Sequence, residues 1–147
     1  MNVNKKNNMD QEIRNKGIGG SEVAAILGVD PYSSPYQIWL RKTGRDTTIV
    51  SNKFTEAGII LEDAVAQFFK KYTSYKIPKP SSGTYIHPKY SFAVGTPDRF
   101  YFGKNGGGKG VLECKTTQAK IDDPPTNWFC QLQWYLGILG MNYGALA

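Results

Sequence analysis

The sequence is poor in the residues that build zinc and thiol sites. Among 147 residues there is one histidine, His87, and the two cysteines, Cys114 and Cys130, form no CxxC pair. Zinc sites draw most of their ligands from histidine and cysteine, so a zinc protein is disfavoured. The same scarcity argues against Ser-His-Asp or Cys-His catalysis.

Long apolar stretches are also missing. No run approaches the roughly 20 apolar residues of a membrane-spanning helix. The N-terminus is rich in Asn and Lys and lacks the apolar segment of a signal peptide. We therefore expect a cytoplasmic protein with reduced thiols and no membrane partner, and a disordered tail over residues 1–12.

Positive charge is in excess. Eighteen Lys and Arg face twelve Asp and Glu, which gives a net charge of +6 and a pI near 9.3. Such a balance suits an acidic partner such as nucleic acid. A chain of this length fits one domain, which we expect over residues 13–147.

The hydrophobic pattern predicts helices first, then short strands, then a strand and a helix. The spacing of apolar residues, together with capping and helix-breaking residues, predicts four helices. They run from Ser21 to Gly28, from Ser34 to Gly44, over 54–72 and over 128–139. The strands are predicted over 85–87, 91–94, 99–102 and 111–116. Residues 141–147 resemble the entry to a further strand, so a C-terminal portion of the α/β domain is expected to be missing or short.

The informative stretch joins Asp98 to Glu113 and Lys115. Side chains alternate along a strand, so Glu113 and Lys115 point to one side while Cys114 points to the other. Asp98 precedes the neighbouring strand of the predicted hairpin and can approach Glu113. Two carboxylates beside a lysine suit Mg²⁺ or Mn²⁺ and the hydrolysis of a phosphate ester.

The ordinary interpretation of these charges is a solvated surface hairpin. An ExK triplet occurs by chance in most proteins. A Pro-Asp pair followed by a glycine-rich hairpin and an apolar-flanked ExK strand is much rarer, and this favours chemistry over a solvated surface.

Pro97-Asp98 with Glu113-x-Lys115 resembles the PD-(D/E)xK nuclease signature. Four further segments appear in order, namely Gly17–Glu22 (GIGGSE), Gly58–Glu62 (GIILE), Val94–Asp98 (VGTPD) and Gln131–Tyr135 (QLQWY). Together they resemble the YqaJ-like viral recombinase family, to which the phage lambda-type exonuclease is related. The resemblance covers roughly residues 14–140.

The resemblance implies a restriction-endonuclease-like core, an α/β fold whose central mixed β-sheet is flanked by α-helices. It implies a 5′→3′ exonuclease that degrades double-stranded DNA for phage-type recombination in a bacterial host, with one or two Mg²⁺ or Mn²⁺ ions. It also allows a ring-shaped homo-oligomer and a single-strand annealing partner. The alternatives are a structure-specific or restriction-type endonuclease and a non-catalytic DNA-binding module.

The same resemblance implies a role for each matching residue. The metal ligands would be Glu62, Asp98 and Glu113, and the catalytic lysine would be Lys115. Gln133 matches an active-site glutamine, with Gln131 as the second candidate. The two glutamines face different directions on a helix, so at most one is expected at the metal site.

Arg14 and Ser21 match an arginine and a serine that hold a 5′-terminal phosphate in the lambda-type enzyme. Plainer roles remain open for two of the assigned residues. Ser21 can be simply the N-cap of its helix, and Glu62 an exposed helix glutamate.

Overall fold

A computed structural model of the chain describes residues 3–46, 53–79, 83–103 and 107–147. Its helices are α1 (Val3–Lys16), α2 (Gly20–Ile26), α3 (Pro35–Lys42), α4 (Lys53–Tyr72) and α5 (Thr126–Leu139). Its strands are β1 (Tyr85–Ile86), β2 (Val94–Gly95), β3 (Arg99–Phe102), β4 (Lys109–Glu113) and β5 (Gly144–Leu146). None of the described helices has the length and apolarity needed to span a membrane.

The main sheet has the order β3-β4-β5. Strand β3 pairs antiparallel with β4, and β4 pairs parallel with β5, so the sheet is mixed. The predicted mixed sheet is confirmed, and the last residues of the chain supply its third strand. Part of the predicted glycine-rich loop, residues 104–106, lies outside the described residues.

Helices cover both faces of this sheet because β3 and β4 are apolar on both faces. On one face, Phe100 and Val111 pack with Leu132 and Tyr135 of α5. On the other, Tyr101 and Leu112 pack with Ala66 of α4. A charged residue on either strand therefore faces α5 or α4 according to its position in the alternation.

A smaller antiparallel pair, β1 and β2, lies beside the main sheet, and the segment before α2 joins it. Ile18 forms a parallel bridge with Ala93, and its carbonyl accepts the amide of Val94 at 3.0 Å. The indole of Trp134 donates to the carbonyls of Ile18 at 3.2 Å and Val94 at 3.0 Å. These bonds tie α5, β2 and the start of α2 into one unit.

Helix α2 does not begin at Ser21 as predicted. Its N-cap is Gly19, whose amide donates to the Glu22 carboxylate at 2.8 Å. The glutamate satisfies the helix start, so Ser21 is left exposed in the first turn. The predicted cap of α3 is confirmed, because Ser34 accepts the amide of Gln37 and Pro35 occupies the first helical position.

The N-terminal segment is helical from Val3, where composition predicted a disordered tail. Helix α1 has side-chain pairs one turn apart, with Lys16 bound to Glu12 at 2.8 Å and Gln11 to Asn15 at 3.0 Å. Asp10 accepts the amide of Thr84 at 3.1 Å, which adds a tertiary contact that composition could not indicate. Residues 1 and 2 lie outside the described part.

Candidate active site

A cleft of about 540 Å³ opens between α4, α5, the β3–β4 hairpin and the start of α2. Nearly all of the residues predicted to be functional line this cleft. They are Arg14, Ser21, Glu62, Asp98, Glu113, Lys115 and Gln131. Residues that are as much as 117 positions apart in sequence therefore share one site.

The hairpin register brings the two central carboxylates together. Arg99 pairs with Leu112, and this register continued by one residue sets Asp98 opposite Glu113. The carboxylate of Asp98 accepts the amide of Cys114 at 2.8 Å, which fixes it against the end of β4. Both carboxylates belong to the face of the hairpin that packs on α5.

Glu113 is 2% exposed, and its two oxygens have different surroundings. Oε1 accepts from Lys115 Nζ at 3.0 Å and from Gln131 Nε2 at 2.5 Å. Oε2 is buried and has no hydrogen-bond partner among the described residues. An unpaired buried carboxylate oxygen is costly, so this atom is suited to a ligand that the protein itself does not supply.

Burial is the main cause of the pKa shifts of the acidic side chains in the cleft. It raises the pKa of Glu113 to about 7, partly offset by the charge of Lys115. Burial also raises the pKa of Asp98, while the hydrogen bond from the Cys114 amide acts against this shift. The Cys114 thiol has its pKa raised to about 12 by burial and by the nearby carboxylates, so it is no thiolate nucleophile.

The two glutamines of α5 have the reverse of the expected placement. Gln131 enters the cleft, where its carbonyl accepts from Lys115 at 2.7 Å and its amide also donates to Tyr135 at 3.1 Å. Gln133 is exposed and lines a separate groove on the outer side of the helix. Gln131 lies one turn from buried Tyr135, and Gln133 lies on the side of exposed Gly137. Apolar residues occur on every side of α5, so its sequence pattern does not distinguish the two.

Tyr135 is itself a residue that the sequence analysis did not select. Its ring lies so close to the backbone of Gly20 and Gly95 that a Cβ on either glycine would come within 2.5–2.6 Å of a ring carbon. Glycine at these two positions therefore lets α2 and β2 approach α5. The GIGGSE and VGTPD segments contain these glycines, which explains part of their sequence pattern.

Arg99 is the second residue that was missed. It is 5% exposed and follows Asp98 directly, at the start of the aromatic strand β3. Its guanidinium pairs with the Glu62 carboxylate, donates to the Asp98 carbonyl at 2.7 Å and lies 3.5 Å from Asp63. The sequence signal for Arg99 is a charged residue at the start of an otherwise apolar strand.

Arg14 and Ser21 lie at the rim of the cleft on α1 and α2. Lys42 of α3 holds these helices together, because its ammonium donates to the Arg14 carbonyl at 2.7 Å and pairs with Glu22 at 2.8 Å. The Arg14 and Ser21 side chains are exposed and line the same cleft as the carboxylates.

The fit of a divalent metal rests on Asp98 and Glu113. Within the ranges that the structure describes, no three acidic, histidine or cysteine side chains form a ready-made metal cage. Mg²⁺ does not require one, since it commonly binds through one or two carboxylates and keeps several waters. The unpaired Oε2 of Glu113 beside Asp98 fits such an ion.

The fold is similar to that of a solved alkaline exonuclease. The crystal structure of LHK-Exo in complex with dAMP matches with a TM-score of 0.72 at 17% identity, over 95% of this chain and 72% of that chain. A second crystal structure of this alkaline exonuclease from Laribacter hongkongensis gives 0.68 at 18% identity, over 92% and 72%. The predicted α/β nuclease-type core is confirmed.

The sequence comparison is more specific. A model of the YqaJ-like viral recombinase domain matches residues 11–142, and the chain belongs to this family. The protein YqaJ of Bacillus subtilis (strain 168) is 37% identical over 139 residues, covering 88% of this chain. The aligned region is 41% of the length of YqaJ, so the chain spans about two fifths of that relative.

The raised pKa of Glu113 generates a prediction about stability. The folded state holds this proton more tightly than the unfolded state, whose pKa is near 4.5. The resulting stabilisation is fully present below pH 4.5 and is lost as the pH rises through about 7. Glu113→Gln should therefore stabilise the metal-free chain at pH 8 by on the order of 2 kcal/mol, and much less at pH 5.

Urea unfolding in EDTA at both pH values measures this difference. Glu12→Gln is the matched control, because the exposed Glu12 carboxylate has its pKa lowered by Lys16 and its loss should not stabilise. An equal effect of Glu113→Gln at pH 5 and pH 8 would show that the carboxylate carries no burial penalty.

Proposed function

We propose that this chain is the catalytic core of a Mg²⁺-dependent exodeoxyribonuclease that degrades double-stranded DNA from a 5′ end. The observation that carries the proposal is the buried carboxylate of Glu113, with Oε1 saturated by Lys115 and Gln131 and Oε2 unpaired beside Asp98. The likeness to LHK-Exo, described as an alkaline exonuclease, supports the same reaction class. The net charge of +6 suits a polyanionic substrate.

Asp98 and Glu113 would hold the metal. A bound Mg²⁺ supplies polarisation of the scissile phosphate and acidification of a water molecule. The protein contributes the position of the two carboxylates, which the β3–β4 register and the Cys114 amide fix. Manganese has similar ligand preferences and would substitute.

Lys115 would act on the phosphate and on the attacking water. Its ammonium is held between Glu113 Oε1 and Gln131 Oε1, at 3.0 and 2.7 Å, so its orientation is set before substrate binds. A pre-oriented cation stabilises negative charge as it develops on the phosphoryl oxygens. Gln131 is a positioning residue in this scheme, since it contacts both Glu113 and Lys115.

Arg14 and Ser21 would bind the 5′ end of the substrate. A guanidinium binds a phosphate bidentately, and a hydroxyl adds a further donor. Both residues line the cleft that contains the carboxylates, so a 5′-terminal phosphate there would lie near the hydrolysed bond. We include a homo-oligomer and a single-strand annealing partner in the proposal as properties of the whole protein.

The first prediction concerns metal and DNA ends. Linear end-labelled duplex should be degraded with Mg²⁺, while closed circular duplex stays intact because it offers no end. Asp98→Asn should abolish cleavage and leave the fold unchanged, since an amide is a poor ligand for the metal. Gel assays with and without EDTA, alongside circular dichroism of the variant, measure both effects.

Cleavage of the closed circle would move the assignment to an endonuclease. Cleavage in excess EDTA would remove the metal from the mechanism. Tight DNA binding without any cleavage of linear DNA would favour the non-catalytic DNA-binding module.

The second prediction separates the two glutamines of α5. Gln131→Ala should lower the turnover of linear duplex about 10- to 100-fold, because Lys115 and Glu113 lose a shared hydrogen-bond partner. Gln133→Ala is the matched control on the exposed side of the same helix and should leave turnover unchanged. A larger loss for Gln133→Ala than for Gln131→Ala, in single-turnover assays, would contradict the positioning role of Gln131.

The third prediction concerns the 5′ end. Duplex with a 5′-phosphate should be degraded several-fold faster than the same duplex with a 5′-hydroxyl, because Arg14 gains a charged partner. Arg14→Ala should erase most of that preference, whereas Arg41→Ala, an exposed arginine on α3 outside the cleft, should retain it. Equal rates on the two substrates with the unaltered chain would rule out end recognition through Arg14.

A further inference from the structure

Arg99 is a full positive charge buried inside the cleft wall. It is 5% exposed, and an arginine side chain stays protonated in proteins. Its guanidinium pairs with the Glu62 carboxylate and donates to the backbone carbonyl of Asp98 at 2.7 Å. Burying such a charge costs free energy unless partners compensate for it.

The alternation of side chains along the hairpin gives Arg99 a different neighbour from Asp98. Asp98 and Glu113 belong to the α5 face of the hairpin, while Arg99 has the opposite parity and faces α4. Glu62 is on α4 and is held on that side by the guanidinium. Glu62 lines the same cleft but is engaged by Arg99, and the described residues contain no three-acid cage.

A two-metal site needs a different arrangement. Its ions lie about 3.5–4 Å apart and share carboxylate ligands, which keeps the site strongly acidic. Here Arg99 engages two carboxylates, Glu62 and Asp63, which leaves Asp98 and Glu113 beside Lys115 with one net negative charge. One divalent ion at these three groups is balanced when a phosphate enters, and a second ion would leave excess positive charge there.

We propose that the Arg99 guanidinium takes the place of a second divalent ion, so that the cleft binds a single ion at Asp98 and Glu113. Glu62 is then the partner of Arg99 and not a metal ligand. The proposal rests on the proposed metal-dependent nuclease function and narrows the one or two ions expected from the sequence to one.

Mn²⁺ binding to the intact chain without DNA tests this. Isothermal titration calorimetry and the loss of the free Mn²⁺ EPR signal should both give about one ion per chain. Arg99→Met removes the charge, frees Glu62 and should raise the number to about two. Arg99→Lys keeps the charge and should stay at one, as should Arg41→Met, the matched loss of an exposed arginine outside the cleft.

Two ions in the unaltered chain would overturn the proposal while leaving the nuclease function intact. One ion in a folded Arg99→Met variant would overturn it as well. No bound ion at all would overturn it together with the metal-dependent function, whereas cleavage of linear DNA reports on that function separately.

Glu62→Gln provides a readout that does not depend on the folding of Arg99→Met. If Glu62 serves Arg99, this variant should keep the Mn²⁺ affinity of the unaltered chain within a few-fold. A loss of affinity of about tenfold or more would show that Glu62 contributes to the metal site and would overturn the proposal.

Discussion

Burial of the Glu113 carboxylate at the end of β4 is the constraint on which the rest of the cleft depends. A carboxylate that is 2% exposed needs partners, and α5 supplies them by bringing Gln131 against it and fixing Lys115. Helix α5 can approach this closely because Gly20 and Gly95 leave room for Tyr135. The fold therefore supplies partners for one oxygen of Glu113, while the second oxygen remains unpaired among the described residues.

Side chains alternate between the two faces of the β3–β4 hairpin, so its charged residues lie on different faces. Asp98, which directly precedes β3, and Arg99, its first residue, belong to opposite faces of the hairpin. The α5 face gathers the groups proposed to act on the phosphate, and the α4 face gathers the ion pair between Arg99 and Glu62. The hairpin thus separates the side proposed to bind metal from the side of the Arg99–Glu62 ion pair, although the carboxylates of both sides line one cleft.

Much of this arrangement could be predicted from the sequence because it depends on local geometry. Strand alternation places Glu113 and Lys115 on one side, and hairpin pairing adds Asp98. The choice between Gln131 and Gln133 depends on the rotation of α5 against the sheet, which is a tertiary property. The Glu62–Arg99 pair joins residues 37 positions apart on two elements, and no periodicity in either element predicts it. Helix α1 was missed since its stabilising contacts are polar pairs that composition does not count.

The energetics of Glu113 favour a functional over a structural origin for this site. A structural core would gain from an apolar side chain here, since an ionised carboxylate that is buried and only half satisfied opposes folding at neutral pH. The chain keeps it, and because burial raises the pKa of Glu113 to about 7, a proton would compete with the proposed metal ion for Oε2 near neutral pH. A divalent cation at this site would offset the burial of both carboxylates, Glu113 and Asp98. In the proposed function, the same imbalance that destabilises the metal-free fold would contribute to the affinity for the ion.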